Sequence, residues 1–211
     1  MAEGLVCFDV DGTLVPGTSS CAWVAAVLGH EAELVAAEAA YDAGLMTNQE
    51  ASVIDARGWA GHTEAEIGAR LESLPLVEGI AETVAWCHER GLRPILTTLA
   101  WTPVGELLAA RFGFAAYCGP VPAAEAGRYT GDVAEHLDEY GKRDFALAQG
   151  IAPERCVAVG DGRSDLPLFA AVGMSIGFNA SAAARAVATH VVDSSDLSAI
   201  VPLLEAQFSS V

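Results

Sequence analysis

"GLVCFDVDGTLV", residues 4–15, runs apolar through Phe8 and then sets Asp9 and Asp11 two positions apart, ahead of Gly12 and Thr13. An apolar run without alternation is what a strand needs when helices cover both faces of its sheet. In extended backbone, side chains two apart leave the same face. The two carboxylates are therefore presented together at the carboxyl end of the strand, where open parallel sheets bind their ligands. Such a placement calls for the rest of a parallel sheet and for positive charge to offset the acids.

Further strand-like runs stand at 92–98 ("LRPILTT"), 115–118 ("AAYC"), 156–160 ("CVAVG"), 173–178 ("GMSIGF") and 189–192 ("THVV"). Stretches of helical length separate them, among them "VEGIAETVAWCHERG", "VGELLAARFG", "KRDFALAQG" and "DLPLFAAVG", each closed by Gly, the usual helix stop. The alternation predicts an α/β fold with a doubly wound parallel sheet. Residues 16–77 break it with helical patterns only. They are read as a small helical cap inserted after the first strand, which leaves 1–15 and 78–211 as the core. Turn residues around short alternating pieces in "CGPVPAAEAGRYTGDV" predict a β-hairpin.

A chain of 211 residues is long enough to bury a core of its own. Its net charge of −17 repels a phosphate backbone and argues against nucleic acid as a partner. An anionic ligand must then be drawn in locally, by a metal ion or a few placed cations. Acids interrupt the Ala-rich apolar stretches before they reach the roughly 18 residues that a membrane span needs. No basic and apolar leader precedes the first strand. Cys7, Cys21, Cys87, Cys118 and Cys156 form no CxxC pair and read as buried reduced thiols of a cytoplasmic protein. The histidines at 30, 62, 88, 136 and 190 lack the spacing of a zinc site.

Two more strand ends carry polar groups, Thr97-Thr98 after "LRPIL" and Asp161 with Asp165 in "GDGRSD". Sharing one crevice with Asp9 and Asp11, they bring four carboxylates together, and a hard divalent cation with oxygen ligands, Mg²⁺, resolves the repulsion. Lys142 is the only lysine, beside ten arginines. Its compact ammonium can sit between a carboxylate and a phosphoryl oxygen where a planar guanidinium would fit differently, so Lys142 is read as a functional residue.

These residues resemble the haloacid dehalogenase-like phosphatase superfamily, and within it the phosphoserine phosphatase branch. The family order is DxDGT, a strand-end Ser or Thr, a Lys, and GDGxxD; this chain carries "DVDGT", "ILTT", "GKRDF" and "GDGRSD" in that order. The resemblance implies a Rossmann-like core with a helical cap after the first motif. It also implies that Asp9 is the nucleophile that forms an aspartyl phosphate and that Asp11 is the general acid and base. Mg²⁺ would be held by Asp9, the backbone carbonyl of Asp11, and Asp161, with Asp165 in support. Thr97 and the turn that contains Thr98 would hold phosphate oxygens, and Lys142 would neutralise charge. A carboxylate is already ionised at neutral pH, so such a nucleophile needs no base.

The chain departs from the branch at three positions. Thr18 stands where a Glu is usual, Asp55 aligns with an Arg that grips the serine carboxylate, and Ser164 replaces an Asn. Arg57, two residues past Asp55, is the candidate substitute for that Arg. The segment 16–77 holds nine acids against Arg57 and Arg70, which disfavours substrates with negative charge beyond the phosphate. The expected activity is hydrolysis of a small-molecule phosphate. Phosphoserine hydrolysis proper, a phosphomutase and a receiver-like phospho-signalling module are the alternatives, and both monomer and homodimer remain open.

Overall fold

Every residue of β1 (Gly4–Phe8) is buried, as its unbroken apolar run requires. This computed structural model describes residues 2–209. After β1 come four helices, α1 (Ser20–Leu28), α2 (Glu31–Asp42), α3 (Asn48–Gly58) and α4 (Glu64–Leu71), and then α5 (Ile80–Glu89). The chain continues through β2 (Leu92–Thr97), α6 (Thr102–Phe112), β3 (Tyr117–Cys118), a hairpin of β4 (Val121–Glu125) and β5 (Arg128–Glu135), and α7 (Glu139–Leu147). It closes with β6 (Cys156–Gly160), α8 (Leu166–Phe169), β7 (Met174–Phe178), α9 (Ala182–Val187), β8 (His190–Val192) and α10 (Val201–Phe208).

Six strands form one parallel sheet in the order β3-β2-β1-β6-β7-β8. The chain builds outward from β1 to β2 and β3 on one side, then returns to lay β6, β7 and β8 on the other. The order therefore reverses between β1 and β6, and the crevice beyond their carboxyl ends is the place where such sheets bind ligands. Phe8 lies opposite Val159, and the Asp9 amide donates to the Val159 carbonyl at 2.9 Å. The loop that holds Asp9 and Asp11 and the loop that holds Asp161 therefore leave the sheet side by side. This is the doubly wound, Rossmann-like α/β fold that the alternation predicts.

Two details differ from the sequence reading. The stretch "DLPLFAAVG" yields only one turn of α-helix, α8, preceded by a 3₁₀ turn over Arg163–Asp165. The third strand shortens to Tyr117–Cys118. The hairpin is present, and the helical patterns between 16 and 77 form α1 to α4.

Local signals account for α3 and α4. Thr47 and Thr63 each cap a helix, and Glu50 and Glu66 reach back to them in capping boxes. Their apolar sides join the same buried cluster as the sheet, where Trp59 of α3's end meets Trp101 at 5.7 Å and Tyr129 of β5 at 5.0 Å between ring centroids. The four-helix segment is thus packed over the carboxyl end of the sheet, with aromatic rings as the contact. Among the described residues no helix is long and apolar enough to cross a membrane.

Candidate active site

Between the strand ends and helices α1 to α3 lies a cavity of about 250 Å³. Asp9, Asp11, Gly12 and Thr18 line it from the first loop, Thr98 to Trp101 from the second, and Asp161 to Ser164 from the third. Gly12 is required here. Its φ is +82°, and a Cβ on it would stand 2.2 Å from an Asp161 carboxylate oxygen. The loop after β1 thereby comes close enough for the Thr13 hydroxyl to donate to Asp161 at 3.2 Å.

Lys142 is fully buried beneath this floor. Its ammonium donates to Asp9 Oδ1 at 2.8 Å, to Asp165 Oδ1 at 2.5 Å and to Ser164 Oγ at 3.2 Å. Asp138 caps α7 by accepting from Tyr140 and Gly141, which fixes the helix that delivers the lysine. The other Asp165 oxygen accepts the backbone amides of Asp161 and Gly162 at 3.0 and 3.1 Å. Asp165 therefore braces the third loop and the lysine together. Removal from water would lower the pKa of Lys142, yet Asp165 and Asp9 outweigh it and hold the ammonium above its ordinary range.

Oxygens of Asp9, Asp161 and Asp165 lie within 4.8 Å of one another. Burial first, then neighbouring carboxylates, push Asp9 and Asp161 well above the usual carboxylate range, although Lys142 pulls both the other way. One ammonium is too little charge for three clustered carboxylates. Their hard oxygen donors suit a divalent cation such as Mg²⁺. The Asp11 side chain is not part of this cluster. Its oxygens accept from the Ser20 amide at 2.6 Å and the Ser20 hydroxyl at 3.1 Å, at the start of α1. Burial pushes Asp11 up to about 6, and the two Ser20 bonds hold it from going higher.

The remaining expected residues divide. Thr98 is on the cavity wall, with its hydroxyl accepting the Ala100 amide at 3.0 Å, whereas Thr97 is buried but not on the wall. Strand parity explains it, since neighbours at a strand end face opposite sides. Thr18 lines the cavity. Arg57 does not, and the expectation that it substitutes for a carboxylate-gripping Arg is corrected: it is exposed on α3, because each helical residue turns the side chain by roughly 100° and two steps carry it away from the Asp55 face. Asp55 is itself buried on the wall, accepting from Trp101 Nε1 at 2.6 Å and hydrogen-bonded to His30 Nε2 at 2.7 Å. Ser20, His30, Glu38 and Tyr41 were not singled out as site residues by sequence. Leu34, Glu38 and Tyr41 recur at helical spacing on α2, a signal that one face of that helix serves the wall.

The fold and this arrangement of strand-end acids define a hydrolase of the haloacid dehalogenase type. The model for "haloacid dehalogenase-like hydrolase" matches residues 6–170, a second model of the same description matches 141–204, and the chain belongs to that family. It is 31% identical over 198 residues to the phosphoserine phosphatase of Halobacterium salinarum, covering 91% of this chain and 93% of that one. With the phosphoserine phosphatase of Albidiferax ferrireducens it shares 29% over 212 residues, 95% of this chain and 89% of the relative. A solved phosphoserine phosphatase with a phospho-aspartyl intermediate analogue superposes with a TM-score of 0.86 at 23% identity, covering 97% of this chain and 100% of that one.

Proposed function

We propose that the chain is a Mg²⁺-dependent phosphomonoesterase that moves the phosphoryl group of a small-molecule ester first to Asp9 and then to water. In this reading residues 1–15 and 78–211 form the catalytic core and 16–77 a cap. The observation that carries it is the Asp9, Asp161 and Asp165 cluster around buried Lys142 at the β1/β6 switch point of a chain in this hydrolase family.

Asp9, Asp161 and the backbone carbonyl of Asp11 would hold the ion, with Asp165 behind them; the ion would supply charge to the phosphoryl oxygens and draw the anionic ester into an acidic cavity. The chain's own groups do the rest. Lys142 occupies Asp9 Oδ1 and so fixes the nucleophile's orientation. A carboxylate oxygen of Asp9 attacks phosphorus, the bond from phosphorus to the leaving oxygen breaks, and Asp11 gives that oxygen its proton. Asp11 then takes a proton from water as it attacks the aspartyl phosphate, which frees Asp9 and inorganic phosphate. Burial raises the Asp11 carboxyl above its ordinary range, in the direction that a group acting as acid and then as base needs. Thr98 and the turn after it line the opposite side, where phosphate oxygens would be received.

Phosphate release from p-nitrophenyl phosphate, measured after exhaustive chelation and again with Mg²⁺ added back, tests the reading. The expected result is turnover only with the ion, and full turnover without it would overturn the metal's role. The names of the relatives raise phosphoserine as a second substrate reading, so phosphoserine belongs in the substrate panel.

A further inference from the structure

The cavity has two ends with different charge logic. On the floor, Asp9 and Asp165 have an ammonium between them. On the wall built by the helices, Glu38, Asp42 and Asp55 face the same cavity, and among the described residues Arg163 is the one Lys or Arg that lines it. That arginine is already engaged. Its guanidinium lies 4.5 Å over the Tyr41 ring, donates to the Tyr41 carbonyl and sits 3.6 Å from Glu139. Asp55 is held as a rigid acceptor by Trp101 from the core and His30 from the helices. Glu38 is fixed by the Ser19 hydroxyl at 2.5 Å, and burial pushes its carboxyl above the ordinary range, as expected of an acid short of positive partners. Tyr41, 9% exposed on the same wall, carries a buried hydroxyl without a partner among the described residues.

Since the floor would take the phosphoryl group, this wall receives the leaving group. We propose that the alcohol released carries a cationic amine and no carboxylate, so that the substrate is the phosphomonoester of a small amino alcohol; the proposal rests on the phosphomonoesterase reading above. An ammonium on the alcohol would meet Glu38 and Asp42, with Asp55 on the same wall. A carboxylate in that place would face three acids, with no free Lys or Arg among the described residues that line the cavity. Charge-assisted hydrogen bonds of this kind discriminate by roughly 10-fold to 100-fold against an analogue that lacks the group. A carboxylate analogue is disfavoured further by like charge.

The test is a set of matched esters: 2-aminoethyl and 3-aminopropyl phosphate, ethyl and propyl phosphate, 2-carboxyethyl phosphate and phosphoserine, with p-nitrophenyl phosphate as the control. Each is measured as kcat/KM with Mg²⁺ present. The amino esters are expected to exceed the alkyl esters at least 10-fold, and the carboxylate ester to fall below both. In Glu38→Gln and Asp55→Asn the ratio of amino to alkyl ester is expected to collapse towards one. A ratio taken on one preparation is unaffected by any misfolded fraction. Equal rates for amino and alkyl esters, a preference for the carboxylate ester, or an unchanged ratio in both variants would overturn the proposal. Absence of turnover on p-nitrophenyl phosphate itself would instead overturn the phosphatase reading beneath it.

Discussion

The floor of the cavity and the helical wall above it are both acidic, but the floor has a buried lysine against its acids and the wall does not. At the floor a buried lysine bonds two carboxylates, backbone amides of the third loop bond one of them again, and the donor set fits a divalent ion. On the wall, Glu38 of α2 and Asp55 of α3 are fixed by Ser19, Trp101 and His30, with no free Lys or Arg among the described residues that line the cavity. The contrast separates two jobs. A floor whose acids are offset by a lysine and a fitting cation can perform one chemistry on many esters, and on the proposal above the wall does the selecting.

Substitutions on the floor should give the largest effects. On the proposed mechanism Asp9→Asn removes the nucleophile, and phosphate release is expected to fall by on the order of 10⁴-fold or more with every ester, whatever its leaving group. On the same mechanism Asp11→Asn would keep the nucleophile and lose the proton donor. Its loss is expected to be about 10²-fold to 10⁴-fold on alkyl esters and smaller on p-nitrophenyl phosphate, whose leaving group needs little protonation. A loss in Asp11→Asn that is equal on both would place the defect elsewhere.

Lys142→Met tests whether the floor is balanced from within. It leaves Asp9 and Asp165 buried without their ammonium, at a cost of roughly 3–5 kcal/mol seen as a lower urea midpoint. Mg²⁺ is expected to raise the thermal midpoint of the unsubstituted protein, because an ion bound only by the folded cluster stabilises it by mass action. A midpoint indifferent to Mg²⁺ would remove the ion from the floor.

The smallest effect belongs to the wall's scaffolding. Thr63→Ala deletes one cap of α4 and should cost about 1 kcal/mol in chemical denaturation, with little change in which ester is preferred. Glu66, its partner in the capping box, has its pKa lowered first by the Thr63 amide and then by the Thr63 hydroxyl, and Thr63→Ala removes the second of these. The folded-state value lies below the unfolded one, so this contribution is present above the unfolded pKa and is lost as pH falls through the folded value. The gap between the urea midpoints of the protein and of Thr63→Ala should therefore narrow in acid, and a gap that widens would contradict the sign.

The same contrast governs what could be read from the sequence. Floor residues sit in contiguous motifs at strand ends, so "DVDGT" and "GDGRSD" announce Asp9, Asp11, Asp161 and Asp165 together, and a lone lysine announces itself by rarity. Wall residues are gathered from separate helices, and their acids look like the solvated side of an amphipathic pattern until the helices are docked. Arg57 misled for a related reason, because a shift of two positions is small in sequence and more than half a turn on a helix. Ser20 escaped because its amide and hydroxyl matter only once the start of α1 is brought against Asp11. Thr97 and Thr98 are adjacent in sequence, and only strand parity decides which of them meets the cavity.

The central claim, that Asp9 accepts the phosphoryl group and Asp11 handles the proton, is tested most directly by intact-protein and peptide mass after mixing with p-nitrophenyl phosphate and Mg²⁺. Asp11→Asn is expected to accumulate the mass of one phosphoryl group on the peptide that contains Asp9, because the leaving group departs unaided while no base activates water. Asp9→Asn is expected to remain unmodified under the same conditions. A phosphoryl group trapped on Asp9→Asn, or on any peptide without residue 9, would contradict the account.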